Sequence, residues 1–192
     1  KTQDYSEKYG LKFTLEETPA ESAARRLAKT DLQYFYEDAK KTVKGSLKED
    51  TVYYTNSVHL SADAPSSMIE RIKKQGLFHG LIESGAITHC FVGEETPSWE
   101  AIYQLVKKTF YWTQSAQITI SPEFTYCDEC SYSTRGLKEK CPQCGSENVS
   151  GITRVVGYFS EVKNMNHSKQ AEINSRQKGD YKISSQKQVK VI

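Results

Sequence analysis

Hydrophobic positions in the first 120 residues follow two alternating rhythms. Ala20, Ala23, Ala24, Leu27 and Ala28 recur at helical spacing and share one narrow face. Thr18 can cap that helix, Pro19 suits its first position, and Glu21 can reach back to the cap amide. A second helix is expected from Pro65 through Met68, Ile69 and Ile72. Gly76 closes it, and a further short helix follows over 77–84. Thr96 and Pro97 open a third, in which Trp99, Ile102, Tyr103, Val106 and Phe110 form the stripe of a core helix. Between the helices, 52–58, 85–92 and 117–120 are rich in aromatic and β-branched residues and read as strands. Residues 1–10 look like a ragged polar entry, 11–15 like a short strand, and 33–50 like a helix end and a loop. Strands alternating with helices predict an α/β fold with a mostly parallel sheet.

Both rhythms stop at Ser121 and Pro122, where cysteine takes over. Cys127 and Cys130 form one CxxC pair and Cys141 and Cys144 a second, ten residues further on. Each short turn places two thiolates on one side of the backbone, so the pairs can converge on one tetrahedral ion, read here as structural zinc. A disulfide pair or four free thiols are the competing readings. Gly145 suits a tight turn in which backbone amides face the sulfurs. Tyr126 and Tyr132 border the knuckles and can shield the metal.

Next comes Arg154-Val-Val-Gly157-Tyr158. On local pattern, a glycine between Val156 and Tyr158 marks a bulge or a close backbone approach in a strand. The wider context supplies another reading. Arg-Val-x-Gly-Tyr resembles the radical-bearing loop of the glycyl radical enzymes. A four-cysteine module just upstream resembles the anaerobic, class III ribonucleoside-triphosphate reductases in particular. In the same order as the carboxy-terminal part of that family come Thr18-Pro-Ala-Glu21 with Arg26-Leu-Ala28, then Tyr53-Tyr-Thr-Asn-Ser57-Val-His59, the stretch 85–94, and Ser121-Pro122. The resemblance covers about residues 13–181.

It implies the carboxy-terminal part of a ten-stranded glycyl-radical-enzyme barrel over 1–120, a zinc-ribbon-like module over 121–150, a radical loop and terminal helix over 151–181, and a flexible tail over 182–192. It also implies that a radical-SAM activating enzyme, using S-adenosylmethionine and an iron–sulfur cluster, removes a hydrogen atom from Gly157. The stored radical would pass to a thiyl cysteine outside this chain, which starts reduction of a ribonucleoside triphosphate, with formate or a protein thiol system as reductant. The full-length enzyme would be a homodimer engaged in deoxyribonucleotide supply for DNA replication. Glycine fits the role chemically: a planar α-carbon radical is shared between the flanking amides, and any side chain would clash with them. By the same resemblance Asn56, Ser57 and His59 would touch substrate or steady the loop, whereas a lone histidine at a strand end otherwise reads as hydrogen-bonded structure. Cys90, flanked by His89 and Phe91 within a strand, reads as a small buried apolar residue. Where the family usually carries Asn-x-Gly-Lys, this chain has Asn166-His-Ser168-Lys169, which puts the local backbone shape in question. Lys169, Glu172 and Arg176 are expected on the solvated face of the terminal helix.

Charge narrows the partners. Twenty-six basic residues against twenty-four acidic leave a net charge of +2, spread over mixed segments, so no direct nucleic-acid footprint is expected. No apolar run approaches the ~18 residues that span a bilayer. Five cysteines, four of them at metal spacing, suit a reducing cytoplasm better than a disulfide framework. The sequence starts on Lys1, so the numbering is expected to begin inside a longer protein. The alternative function is a zinc-ribbon binding module, or a spare glycyl-radical module, without reductase activity of its own.

Overall fold

A computed structural model describes residues 1–17, 21–55, 60–93, 96–155 and 157–176. The chain opens with helices α1 (Thr2–Tyr9), α2 (Glu21–Tyr34), α3 (Tyr36–Ala39) and α4 (Met68–His79). Strand β1 (Thr88–Gly93), helix α5 (Trp99–Trp112) and strand β2 (Ile118–Pro122) follow. Four short strands complete the sheet structure: β3 (Phe124–Cys127), β4 (Ser133–Arg135), β5 (Val149–Arg154) and β6 (Phe159–Glu161). Helix α6 (His167–Ser175) comes last. The architecture is mixed α/β, as expected, and the strands expected over 85–92 and 117–120 form a parallel pair. Among the described residues β1 and β2 are the one parallel pair, whereas β4, β3, β5 and β6, in the cysteine-bearing segment, lie side by side, antiparallel, in that order.

The helices explain themselves locally, with several corrections. Within 1–10, expected to be ragged, α1 runs from Thr2 to Tyr9 and closes on Gly10, while 11–15 form no strand. That segment still runs beside 84–85, through Ser84 N–H to Leu15 O and Glu17 N–H to Gly85 O. The expected cap of α2 at Thr18 and Pro19 lies outside the described residues. Helix α4 starts later than Pro65 because Ser67 and Glu70 form a reciprocal capping box. It also runs straight through Gly76, absorbing part of the short helix expected after it. A Cβ on Gly76 would stand 3.2 Å from Ser115 N and 3.5 Å from the Thr113 side chain, so glycine serves close packing there and not helix closure. Ser98, not Thr96, caps α5. Of the strand expected over 52–58, the described part, 52–55, makes the isolated bridge Lys44 to Tyr53, and 56–58 lie outside the described residues.

The stripe on α5 is the largest departure. Trp99, Tyr103 and Phe110 are 74%, 54% and 52% exposed, so most of what reads as a core face has no cover among the described residues. The buried centre lies instead around β1, where Thr88, Cys90 and Val92 are sealed together with Ile72 and Gln75 of α4. Strand β2 leads directly into β3 through the wholly buried Glu123, whose amide donates to Gly93 O. The parallel pair and the antiparallel sheet are therefore joined by a single buried residue.

Candidate functional site

The antiparallel sheet carries both candidate features, the cysteines at one end and Gly157 at the other. In each CxxC turn the residue after the second cysteine is left-handed, Ser131 with φ 60° and Gly145 with φ 77°. Ser131 N–H closes on Cys127 O at 3.0 Å, and Gly145 N–H on Cys141 O at 2.9 Å. The two turns thus share one design. Glycine makes the second unstrained, whereas Ser131 holds the same backbone at a cost its lone Cβ imposes.

The turns bring all four sulfurs within 4.8 Å of one another. Cys127 and Cys144 Sγ lie 3.6 Å apart, as do Cys130 and Cys141 Sγ. Those are far beyond a disulfide bond and close to the edge of about 3.8 Å that a tetrahedron with metal–sulfur bonds of about 2.3 Å would have. The donor chemistry agrees with a cation. The Cys144 amide, with that of Gln143, hydrogen-bonds the Cys141 sulfur and draws its thiol down to about 7. Although the Tyr132 amide favours the Cys130 thiolate, desolvation and the three neighbouring thiols push Cys130 up to about 12. Four thiolates this close repel one another unless a cation sits among them. Tyr132 is 40% exposed and contributes its backbone at the knuckle, its carbonyl accepting from Cys127 N–H.

Gly157 stands at the tip of the β5–β6 hairpin. Arg154 pairs with Phe159, and one step further Val155 N–H donates to Tyr158 O at 2.8 Å, with Gly157 between them in the chain. The glycine is exposed and its φ lies outside the left-handed region. Among the described residues, no atom beyond its chain neighbours lies within 4 Å of where a Cβ would stand. Neither a bulge nor a close approach accounts for it. Gly151 on the same strand is the opposite case, since a Cβ there would meet Leu137 Cδ2 at 3.1 Å.

Behind the tip lies a buried ionic cluster that the sequence pattern did not suggest. Lys169 and Arg176, expected with Glu172 on a solvated face, are 8% and 5% exposed, and Ser168 beside them is 2% exposed. Arg176 donates to Arg154 O and Val155 O at 2.9 and 3.0 Å, and to Glu172 Oε1 at 3.0 Å. Its guanidinium also lies 4.2 Å from the centroid of the Phe91 ring. Glu172 takes a second bond from Lys169 Nζ at 2.6 Å. The i, i+4 spacing of Glu172 and Arg176 was visible beforehand. Their burial was not, because it depends on carbonyls 21 and 22 residues away. Ser168 raises no backbone problem: it lies within α6, behind the Asn166 cap, and its Oγ accepts from Arg25 Nε at 3.1 Å.

His89 stacks on Phe91 with ring centroids 6.0 Å apart. Burial first, then the charges of Arg176 and Arg154, lower its pKa to about 4. Cys90 is fully buried and its thiol is pushed up to about 12 by desolvation, which suits an inert packing residue. Asn56, Ser57 and His59 lie outside the described residues, as do Val156 and the tail over 182–192.

A family model described as anaerobic ribonucleoside-triphosphate reductase matches residues 1–178. The chain belongs to that family. The anaerobic ribonucleoside-triphosphate reductase of Escherichia coli K12 is 27% identical over 190 residues, covering 91% of this chain and 24% of the relative. A solved structure titled anaerobic ribonucleotide reductase superposes with a TM-score of 0.73 at 26% identity, covering 93% of this chain and 27% of the other. The Thermotoga maritima anaerobic ribonucleotide reductase, solved in complex with dATP and CTP, has the same fold at a TM-score of 0.67 and 23% identity, covering 89% of this chain and 26% of its own. The chain therefore spans about a quarter of the length of the reductases it matches. The match extends across the helices and β1 as well as the cysteine-bearing sheet, so the chain is reductase sequence and not a ribbon module alone. No helix among the described residues is long and apolar enough to cross a membrane.

Proposed function

We propose that this chain is the carboxy-terminal part of an anaerobic ribonucleoside-triphosphate reductase, in which Gly157 stores the radical used to reduce ribonucleoside to deoxyribonucleoside triphosphates. The observation that carries this reading is the tip itself: a glycine that neither backbone angle nor packing requires, on an exposed turn anchored from behind. A residue without a structural reason to be glycine is well explained by chemistry that only glycine permits. The tip is exposed here, and a stored radical needs shelter from water and oxygen. In this reading the shelter, the thiyl cysteine and the nucleotide site belong to the remainder of the reductase. Tyr158 and Phe159, half exposed beside the glycine, would be covered when the tip is inserted there.

Cys127, Cys130, Cys141 and Cys144 would hold zinc. Bound to four thiolates, it would have no open position for substrate and would supply rigidity to the sheet that carries the tip. Parallel β1 and β2 would be two strands of the ten-stranded barrel, followed by the cysteine module over 121–150 and the loop and helix over 151–181. Asn56, Ser57 and His59 remain the candidates for contact with substrate or loop. The partners in this reading are a radical-SAM activating enzyme with its iron–sulfur cluster, formate or a protein thiol as reductant, and a second copy in a homodimer. A reducing cytoplasm is the compartment that keeps such thiols available.

The test is anaerobic incubation with the activating enzyme, S-adenosylmethionine and a reductant, then brief exposure to air and intact mass analysis. A glycyl radical meeting oxygen breaks its own backbone, so a cut at Gly157 is expected. The same treatment of the chain assembled with the remainder of the reductase decides a negative result, and an uncut chain there defeats the radical assignment.

A further inference from the structure

The carbonyls of Arg154, the last residue of β5, and of Val155 just after it are both taken by a side chain. Strand β3 starts at Phe124, opposite Ile152, so its ladder ends before Arg154 and Val155. One guanidinium takes both. Nη1 of Arg176 donates to Arg154 O at 2.9 Å and Nη2 to Val155 O at 3.0 Å, with the side chain fully buried. The same guanidinium is fixed on two other sides, by Glu172 at 3.0 Å and by the face of Phe91 on β1 at 4.2 Å. Lys169 in turn holds the other oxygen of Glu172. The planar fork of arginine can serve two adjacent carbonyls in a fixed direction, which the single ammonium of lysine cannot.

From this geometry we infer that Arg176 is the positioning residue of the Gly157 tip, clasping its hairpin to α6 and to β1 so that the glycine is presented at one fixed height and angle. The inference rests on the proposed role of Gly157 for its functional meaning, but the clasp can be tested without any radical. Three features separate it from general support of the fold. Its two backbone bonds fall only two and three residues before Gly157. Beyond the β5–β6 ladder the turn it braces is tied across by Val155 N–H to Tyr158 O at 2.8 Å. The cysteine quartet, at the far end of β5 beside Val149, takes no bond from the guanidinium among the described residues.

The experiment compares the wild-type chain, Arg176→Gln and Arg176→Lys, each with equimolar zinc, by amide hydrogen exchange resolved over peptides covering 152–160 and 124–136. Zinc content is read by native mass analysis. In both variants exchange at the tip should rise by about tenfold or more while 124–136 and the zinc content stay unchanged. Arg176→Lys is the deciding variant: it preserves the charge facing Glu172 and Phe91 but not the fork. Tip exchange in Arg176→Lys equal to wild type overturns the clasp, and so does an equal rise over both peptides, which would mark Arg176 as general support only. A second arm applies the activating enzyme and air to the same proteins, each assembled with the remainder of the reductase. Cleavage at Gly157 should fall by about tenfold in Arg176→Lys at unchanged zinc content. Wild-type cleavage with none of this loss overturns the positioning role. No cleavage even in wild type defeats the radical reading of Gly157, and the exchange result then still decides whether the clasp exists.

Discussion

The helical layer of α4 and α5 and the antiparallel sheet of β3 to β6 solve the problem of stability in opposite ways. The helices are rich in large apolar side chains, yet Trp99, Tyr111 and Trp112 are more than 70% exposed, and a groove of 390 Å³ lined by Ile69, Ile72, Leu105 and Trp112 lies open between them. The sheet has almost no large apolar side chain sealed inside it. Its buried positions are Thr125, Cys127, Ser150 and Thr153, with Cys141 and Val155 buried in the loops beside it, and it is tied by polar bonds such as Thr125 Oγ1 to Gly136 O at 2.7 Å. One region holds apolar surface that the described chain leaves uncovered. The other is closed, but by a cysteine quartet and hydrogen bonds. Exposed area of this kind contributes nothing to the isolated chain, whereas a metal–thiolate centre stabilises a small sheet with no need of a large core.

The strongest way to break this contrast is at the quartet. Cys141→Ser should abolish stoichiometric zinc binding and unfold β3 to β6 while leaving α4 and β1 protected, because structural zinc centres contribute an apparent ~10–16 kcal/mol to folding. Native mass analysis with hydrogen exchange would check it, and a protected sheet in the metal-free variant would refute it. Gly157→Ala is expected to be silent in structure and complete in function. The open space around the tip admits a methyl group, so stability should change by less than about 0.5 kcal/mol. The electron spin resonance signal and the oxygen-induced cut should both vanish. A markedly destabilised variant would mean that packing, after all, required the glycine.

His89 sharpens the contrast at the border between the two regions. Its folded-state pKa of about 4 lies below the ordinary 6.5, so the unfolded chain takes up the proton first on acidification. Stability is therefore fully present above about pH 6.5 and is lost as pH falls toward 4, by up to about 3 kcal/mol. Chemical denaturation across that range should show the slope, His89→Leu should remove it, and an imidazole signal titrating near 6.5 in the folded chain would contradict it. The smallest effect is expected on α5, where Trp99→Ser should cost less than about 0.5 kcal/mol in the isolated chain. Thermal unfolding would register a larger loss if that face were covered.

What could be read beforehand follows the same division. The CxxC turns, Gly145 and the run of residues around Gly157 carry short-range patterns, and their signal survives in the sequence because each turn is decided by four or five neighbours. Helices α2, α4 and α5 were legible from periodicity, but periodicity reports which face is apolar and says nothing of what lies against it. That is why Trp99 and Tyr103 were misplaced in a core. The parallel pairing of β1 and β2 was legible from their alternation with α5, whereas short strands such as β4 and β6 have too few residues to show alternation, so the antiparallel sheet left little trace. Arg176 was placed in solvent because a helical surface position and a buried clasp have the same sequence spacing. Only the distant carbonyls of Arg154 and Val155 distinguish them.

Ser168 carries a consequence for the order of folding. Its bond to Arg25 joins residues 143 positions apart, and its hydroxyl also reaches Asp50 O at 3.4 Å. Closing so long a loop is entropically costly, so contacts of this range are made after the local turns and hairpins exist. A contact made late slows unfolding more than it speeds folding. Replacing Ser168 with glycine would then leave the refolding rate nearly unchanged and raise the unfolding rate, a difference that stopped-flow measurements resolve. On that outcome the serine would be a kinetic latch on α6, the helix with Arg176 at its C-cap.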